Sequence, residues 1–129
     1  MTDRTALNAP GVPDPIGPYS HAVQHGGVLY CTGQLPLDAA TGAIETDDVA
    51  EQARRCLESL AAVSAAAGTS LDRALRIGIY LQDLSSFQAV NAVYAEFFPS
   101  EPPARTTIGV AALPMGALVE MDAILALVA

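Results

Sequence analysis

Apolar residues recur along this chain with two different spacings, and the switching between them lays out the elements. From Asp48 to Ala67, the residues Val49, Ala53, Cys56, Leu57, Leu60 and Val63 form one stripe at helical spacing. Asp48 with Glu51 three residues on is a capping-box variant, and Gly68 stands where a helix ends in a C′ glycine. A second helix is predicted from about Ser86 to Phe98. Phe87, Val90, Val93, Tyr94 and Phe97 are its apolar stripe, Ser85 and Gln88 its capping box, and Pro99 its stop.

Elsewhere the period is two. Tyr19–Val23 and Val28–Thr32 flank His25-Gly26-Gly27 and read as a hairpin. Ala74–Leu81 alternates, with Leu75, Ile77, Ile79 and Leu81 on one face and Arg76, Gly78 and Tyr80 on the other. Arg105–Val110 is the next strand. Leu118–Val128 is the last, with Val119, Met121, Ala123, Leu125 and Leu127 opposed to Leu118, Glu120, Asp122, Ile124 and Ala126. Residues 1–18, rich in Pro, Gly, Asn and Asp, read as an irregular N-terminal arm of a single domain over 1–129. The order hairpin, helix, strand, helix, strand, strand predicts an α/β fold: one mixed β-sheet with two long helices on one face. The other face, carrying Tyr80, Leu118, Ile124 and Thr107, then needs a cover that no element of the chain supplies. A partner subunit is the simplest cover, and a ligand site is expected at that boundary.

Composition sharpens this expectation. A hydrophobic fraction of 51% and a mean hydropathy of +0.33 are high for 129 residues. No apolar run approaches the ~20 residues of a membrane span, and Met1–Asn8 lacks a signal-peptide core. Oligomerisation is the remaining account. The net charge of −8, without a single lysine, repels nucleic acid. Cys31 and Cys56 form no CxxC pair and read as free thiols of a reducing compartment, the cytoplasm. His21 and His25 have the spacing of a helical metal pair, but a Gly-Gly turn follows and no third ligand is evident, so no metal is expected. Without lysine there is no internal Schiff base, and no phosphate-binding loop occurs, so no cofactor is expected either.

One cation stands apart. Arg105 follows Pro102-Pro103-Ala104, which holds the chain extended, and it opens a β-branched strand. Its fork of donors fits a carboxylate. Glu120, Asp122 or the carboxylate of a ligand are the candidate partners. Glu120 and Asp122, two apart on one strand face, allow one to pair Arg105 while the other holds or activates a water; an ordinary polar sheet face is the plainer reading. Tyr19 is either a phenol at a cleft or a core tyrosine. Thr32-Gly33 is either a close backbone approach to a ligand or a plain turn.

Ile16-Gly17-Pro18-Tyr19-Ser20, Thr32-Gly33-Gln34-Leu35-Pro36, Val90-Asn91-Ala92-Val93-Tyr94, Pro103-Ala104-Arg105-Thr106-Thr107, Leu113-Pro114 and Leu118-Val119-Glu120-Met121 occur in that order. Together they resemble the Rid family (RidA/YjgF, reactive intermediate deaminases), from about Asn8 to Ala126. The resemblance implies a chorismate-mutase-like fold and a homotrimer with clefts between subunits. It implies hydrolysis of enamines and imines such as 2-aminoacrylate, 2-iminopropanoate and 2-iminobutanoate to 2-keto acids and ammonia. In that pattern Arg105 binds the substrate carboxylate and Glu120 attends the catalytic water, while Tyr19, Thr32, Gly33 and Thr107 line the cleft. Thr107 stands where many members have cysteine, and Gly109, Ala112 and Met115 replace residues that are often charged. A non-catalytic trimer that holds small carboxylates, or protects under stress, is the alternative on the same fold.

Overall fold

The computed structural model describes residues 3–128. The chain runs β1 (Thr5–Leu7), β2 (Ala22–His25), β3 (Val28–Gln34), α1 (Val49–Ala66), β4 (Ala74–Leu81), α2 (Phe87–Phe97), β5 (Ala104–Gly109) and β6 (Val119–Ala126). The strands form one sheet in the order β1-β2-β3-β6-β4-β5. Every neighbouring pair is antiparallel except β4 with β5. That pair is parallel because α2 carries the chain back to the starting edge, as a strand–helix–strand crossover requires. The hairpin between β2 and β3 closes through Gly26 and Gly27, at φ +60° and +81°. Two successive left-handed residues are what a two-residue turn of matching twist needs.

Both helices pack on the same face. Leu57, Leu60 and Val63 of α1 and Val90 and Val93 of α2 meet Leu29, Ile77, Ile79, Leu81, Val119, Met121 and Leu125 of the sheet, all buried. β6, central and apolar on alternate residues, carries the strictest pattern of enclosure. The opposite face has no such cover. Tyr80, Glu120, Asp122 and Ile124 are half-buried there, and Tyr30 and Ile108 are 48% and 45% exposed.

Local details depart from the sequence reading. The N-terminal arm is not irregular throughout, since Thr5–Leu7 pairs with β2 as an edge strand. β2 begins at Ala22 rather than Tyr19, because Tyr19 N–H turns back to the carbonyl of Gly17. Asp48 caps α1 by accepting from Ala50 N–H, but Glu51 pairs with Arg54 instead of closing a box. The cap expected from Ser85 and Gln88 is replaced by Asp83, which accepts from Ser85 N–H at 2.9 Å in a 3₁₀ turn before α2. Leu75 is 49% exposed. It is the extra residue of a bulge between Ala74 and Arg76 and so leaves the core face. The largest correction concerns Thr107. It pairs with Ile79, and Arg105 pairs with Ile77. Neighbours in register share a face, so Thr107 and Arg105 point to the helix side and not to the open face.

Candidate functional site

The residues singled out from sequence fall into two groups, one on each side of the sheet. On the open side, Glu120 of β6 lies directly over Gly33 of β3. A Cβ added at Gly33 would stand 2.0 Å from Glu120 Oε2. The register between β3 and β6 slips between Cys31 and Gln34, so Thr32 and Gly33 form a bulge beside Asp122 and Glu120. This is why glycine is needed there: the carboxylate occupies the volume of a side chain. Asp122 is seated the same way over Gly78, where an added Cβ would meet its Oδ1 at 2.2 Å. Tyr80 donates to Asp122 Oδ2 at 2.9 Å, and Arg76 Nη1 lies 3.7 Å from Oδ1. Burial, and then the charge of Asp122, push the Glu120 carboxyl above its ordinary value of 4.5. That shift marks Glu120 as a carboxylate that readily takes up a proton.

Tyr19, Thr32 and Gly33 line a common cleft with His21 and Leu37. Tyr19 is 43% exposed and its hydroxyl accepts from Ile16 N–H at 3.1 Å, so the phenolic proton is free to donate outward. His21 is 2% exposed and ties this side together. Its Nδ1 accepts from Ala9 N–H at 2.9 Å and its Nε2 bonds the Pro13 carbonyl at 2.8 Å, which fixes the neutral tautomer with the proton on Nε2. Its own carbonyl accepts from Thr32 N–H. His21 is therefore a structural clamp between the arm and β3. No group of three or more His, Cys, Asp or Glu is arranged to hold a metal among the described residues.

On the helix side, Arg105 of β5 lies against α2. Its Cζ is 4.8 Å from the ring centroid of Tyr94 and 5.5 Å from that of Phe87. Among the described residues it forms no ion pair; the pairs present use Arg54, Arg55 and Arg76. It lines a second concavity of about 430 Å³ with Asn91, Tyr94, Phe98 and Pro103. Two enclosed hydroxyls on this side, Tyr94 Oη and Thr107 Oγ1, have no hydrogen-bond partner. The internal pairing of Arg105 with Glu120 or Asp122 is thereby ruled out. β4 lies between β5 and β6, the lateral offset is about 10 Å, and the side chains leave from opposite faces.

The two cysteines are buried thiols. Burial pushes the Cys31 thiol up to about 12 and raises that of Cys56 as well. Neither cysteine is in a disulfide. Phe87, Tyr94, Gly78 and Tyr80 carry the architecture around the two groups; the sequence assigns Phe87, Gly78 and Tyr80 only to an apolar stripe and a strand face, and Tyr94 to a stripe and to a family motif without a role. The available signal was the crossover itself, since aromatics seven residues apart on α2 must overlie the strand that α2 leads into.

The family model described as Endoribonuclease L-PSP matches residues 9–127. Protein DfrA of Myxococcus xanthus is 46% identical over 123 residues, covering 94% of each chain. A protein of Dermatophagoides farinae named 2-iminobutanoate/2-iminopropanoate deaminase is 36% identical over 124 residues, covering 96% of this chain and 97% of its own. Among solved structures, the Yersinia pestis protein YyfA, described as of the conserved Rid protein family, superposes with a TM-score of 0.93 at 36% identity, over 96% of this chain and 99% of that one. Escherichia coli TdcF with bound serine superposes with a TM-score of 0.89 at 33% identity, over 95% and 98%.

Proposed function

We propose, from the premise that this chain belongs to the Rid (YjgF, L-PSP) family, that it hydrolyses small 2-imino acids and their enamine tautomers to 2-keto acids and ammonia. The observation that carries this reading is the Arg105 guanidinium, held on two aromatic rings and left without an acidic partner among the described residues. A cation so placed is matched by the carboxylate of a 2-imino acid, gripped bidentately. The relative named as an imine deaminase and the serine bound in TdcF agree with a ligand of that class.

Arg105 and Glu120 diverge within one chain, so the working site is composite. Arg105 and Thr107 come from one copy; Glu120, Thr32, Gly33 and Tyr19 come from a neighbour whose open sheet face is covered in a homotrimer. The carboxylate clamp fixes the C=N carbon. Water attacks that carbon, its O–H bond breaks, and the proton passes to Glu120. Glu120 returns this proton to the nitrogen, which has received the C=N electron pair, giving the carbinolamine; the same relay then carries the hydroxyl proton to that nitrogen, the C–N bond breaks as the C=O bond forms, and ammonia leaves the 2-keto acid. Imines hydrolyse unaided, so orientation and one proton relay suffice.

The test is a threonine dehydratase reaction followed by keto-acid release. Added wild-type protein accelerates release, and Arg105→Ala removes at least a hundredfold of that effect, the scale of a lost bidentate charged pair. An unchanged rate with the wild type rejects the reading. A second reading, a trimer that only binds small carboxylates, is favoured by the serine in TdcF. It predicts calorimetric binding of a 2-keto acid without turnover. The chain's negative charge gives no support to a nuclease reading of the family's name.

A further inference from the structure

We infer that Tyr94 is a positioning residue for Arg105, acting through the face of its ring and not through its hydroxyl. The inference rests on the reading of Arg105 as the carboxylate clamp and adds the device that keeps the clamp aimed. Arg105 sits on the edge strand β5, where one flank has no neighbouring strand. A long, unpaired side chain at such a place would ordinarily sample many rotamers, and each would have to be given up when a ligand binds.

Tyr94 removes that freedom. It lies two turns into α2, is 6% exposed, and is braced by Phe98 at a centroid distance of 4.7 Å and an interplanar angle of 39°. It therefore cannot swing away from the guanidinium 4.8 Å above it. Phe87, two helical turns earlier and 36% exposed, supplies a second ring at 5.5 Å. A cation held over a ring is attracted by the π-face, and this does not use up the guanidinium's N–H donors. A carboxylate partner would have consumed those donors. The stack orders the cation and keeps its hydrogen bonding available, which an internal ion pair does not do.

The hydroxyl of Tyr94 has no part in this. It is enclosed and makes no hydrogen bond. Phenylalanine at 94 therefore keeps the device, and leucine removes it.

Three variants, Tyr94→Phe, Tyr94→Leu and Phe87→Leu, separate these roles. The first readout needs no ligand: 15N relaxation of the Arg105 Nε–H group in the assembled protein. Wild type and Tyr94→Phe show an ordered Nε–H. Tyr94→Leu, and to a smaller extent Phe87→Leu, lose that order. The second readout is calorimetric titration with 2-oxobutanoate together with steady-state imine hydrolysis. Tyr94→Phe stays within about twofold of wild type. Tyr94→Leu weakens binding and raises KM about tenfold with kcat nearly kept, and Phe87→Leu does so about threefold. Equal loss in Tyr94→Phe and Tyr94→Leu overturns the inference, because the hydroxyl would then be acting. An ordered Nε–H in both leucine variants overturns it too. If Tyr94→Leu does not fold, Phe87→Leu, at a half-exposed position, decides by the same readouts. If wild type binds no keto acid, the proposed function falls, while the relaxation data still decide the role of Tyr94.

Discussion

The two sides of the sheet hold their charges by opposite means. On the open side, Glu120 and Asp122 are pressed onto Gly33 and Gly78, sites where the backbone offers the room of a missing side chain. Asp122 is answered by Tyr80 and Arg76, and both acids share one small acidic surface. On the helix side, Arg105 is supported by aromatic faces and answered by no acid among the described residues. A carboxylate crowded by burial and by a like charge favours its protonated form. A guanidinium on a ring stays charged and keeps its donors. One side is thus suited to proton transfer and the other to holding an anion. On the proposed function neither side completes the chemistry alone, and the sheet keeps them apart within a chain.

The sharpest way to break that comparison is to divide the two functions between chains. Arg105→Ala and Glu120→Gln are each expected to lose at least a hundredfold in imine hydrolysis. Unfolded together and reassembled, they regain activity at about a quarter of the sites if each site draws on two neighbouring copies, the statistical share of random mixing in a closed ring. No recovery, with mixed assemblies verified by native mass spectrometry, would place both residues in one chain's site and contradict the geometry described above.

A smaller effect is expected at the glycine seat. Gly33→Ala forces a Cβ into the space of the Glu120 carboxylate. It should lower kcat tenfold or more by turning that carboxylate aside, and cost about 1–3 kcal/mol in stability by overpacking. Carboxylate binding, measured by calorimetry, should change less than kcat, since the cation that grips the carboxylate comes from the neighbouring copy and is not displaced by the added Cβ. Gly78→Ala is the control: it displaces Asp122 instead and should spend most of its effect on the melting temperature.

The smallest effect is a shift on the pH axis. Glu120 must be ionised to accept a proton from water, and its pKa is raised, first by burial and then by Asp122. Activity therefore falls as pH drops through a value above the ordinary glutamate range. Asp122→Asn keeps an acceptor for Tyr80 but removes the like charge, so the acid limb of the kcat profile moves to lower pH. Burial remains, and the move is partial. The sign for stability is the reverse of that for activity. The raised pKa means that the fold prefers protonated Glu120; its contribution to stability is present below the unfolded value and is lost as pH rises through the folded one. Glu120→Gln should consequently raise the melting temperature at neutral pH and have no such effect in acid. A limb that stays in place in Asp122→Asn would show that the two carboxylates do not sense each other.

The elements themselves were legible in the chain because each depends on near neighbours. The stripe from Val49 to Val63 can only be a helix, and the alternation from Val119 to Leu125 can only be a strand with one buried face. The family motifs drew attention to Arg105, Glu120, Thr32, Gly33, Tyr19 and Thr107 for a similar reason, since each lies within a short run. The bulges at Leu75 and at Thr32-Gly33 were not legible. A bulge is a mismatch between two strands, and the count of residues on one strand says nothing of the count on its partner. The cap fell on Asp83, two residues before the expected Ser85, because a 3₁₀ turn precedes α2, and local patterns rarely mark such a turn.

Which face Arg105 takes was decided only by the third dimension. Along the chain, Arg105 and Glu120 look like natural partners, one cation and one anion on neighbouring stretches of β structure. Period two assigns faces within a strand, but it does not say which face of one strand matches which face of another. That is set by pairing, and pairing put Arg105 beside Ile77 and Glu120 beside Tyr80. The chain's pattern of apolar and polar residues settled that there would be a sheet with helices on one side and a polar strand face on the other. The register of β5 against β4 settled that the cation would stand on the helix side, because a parallel strand returning under α2 must turn its alternate residues toward that helix to fill the space beneath it.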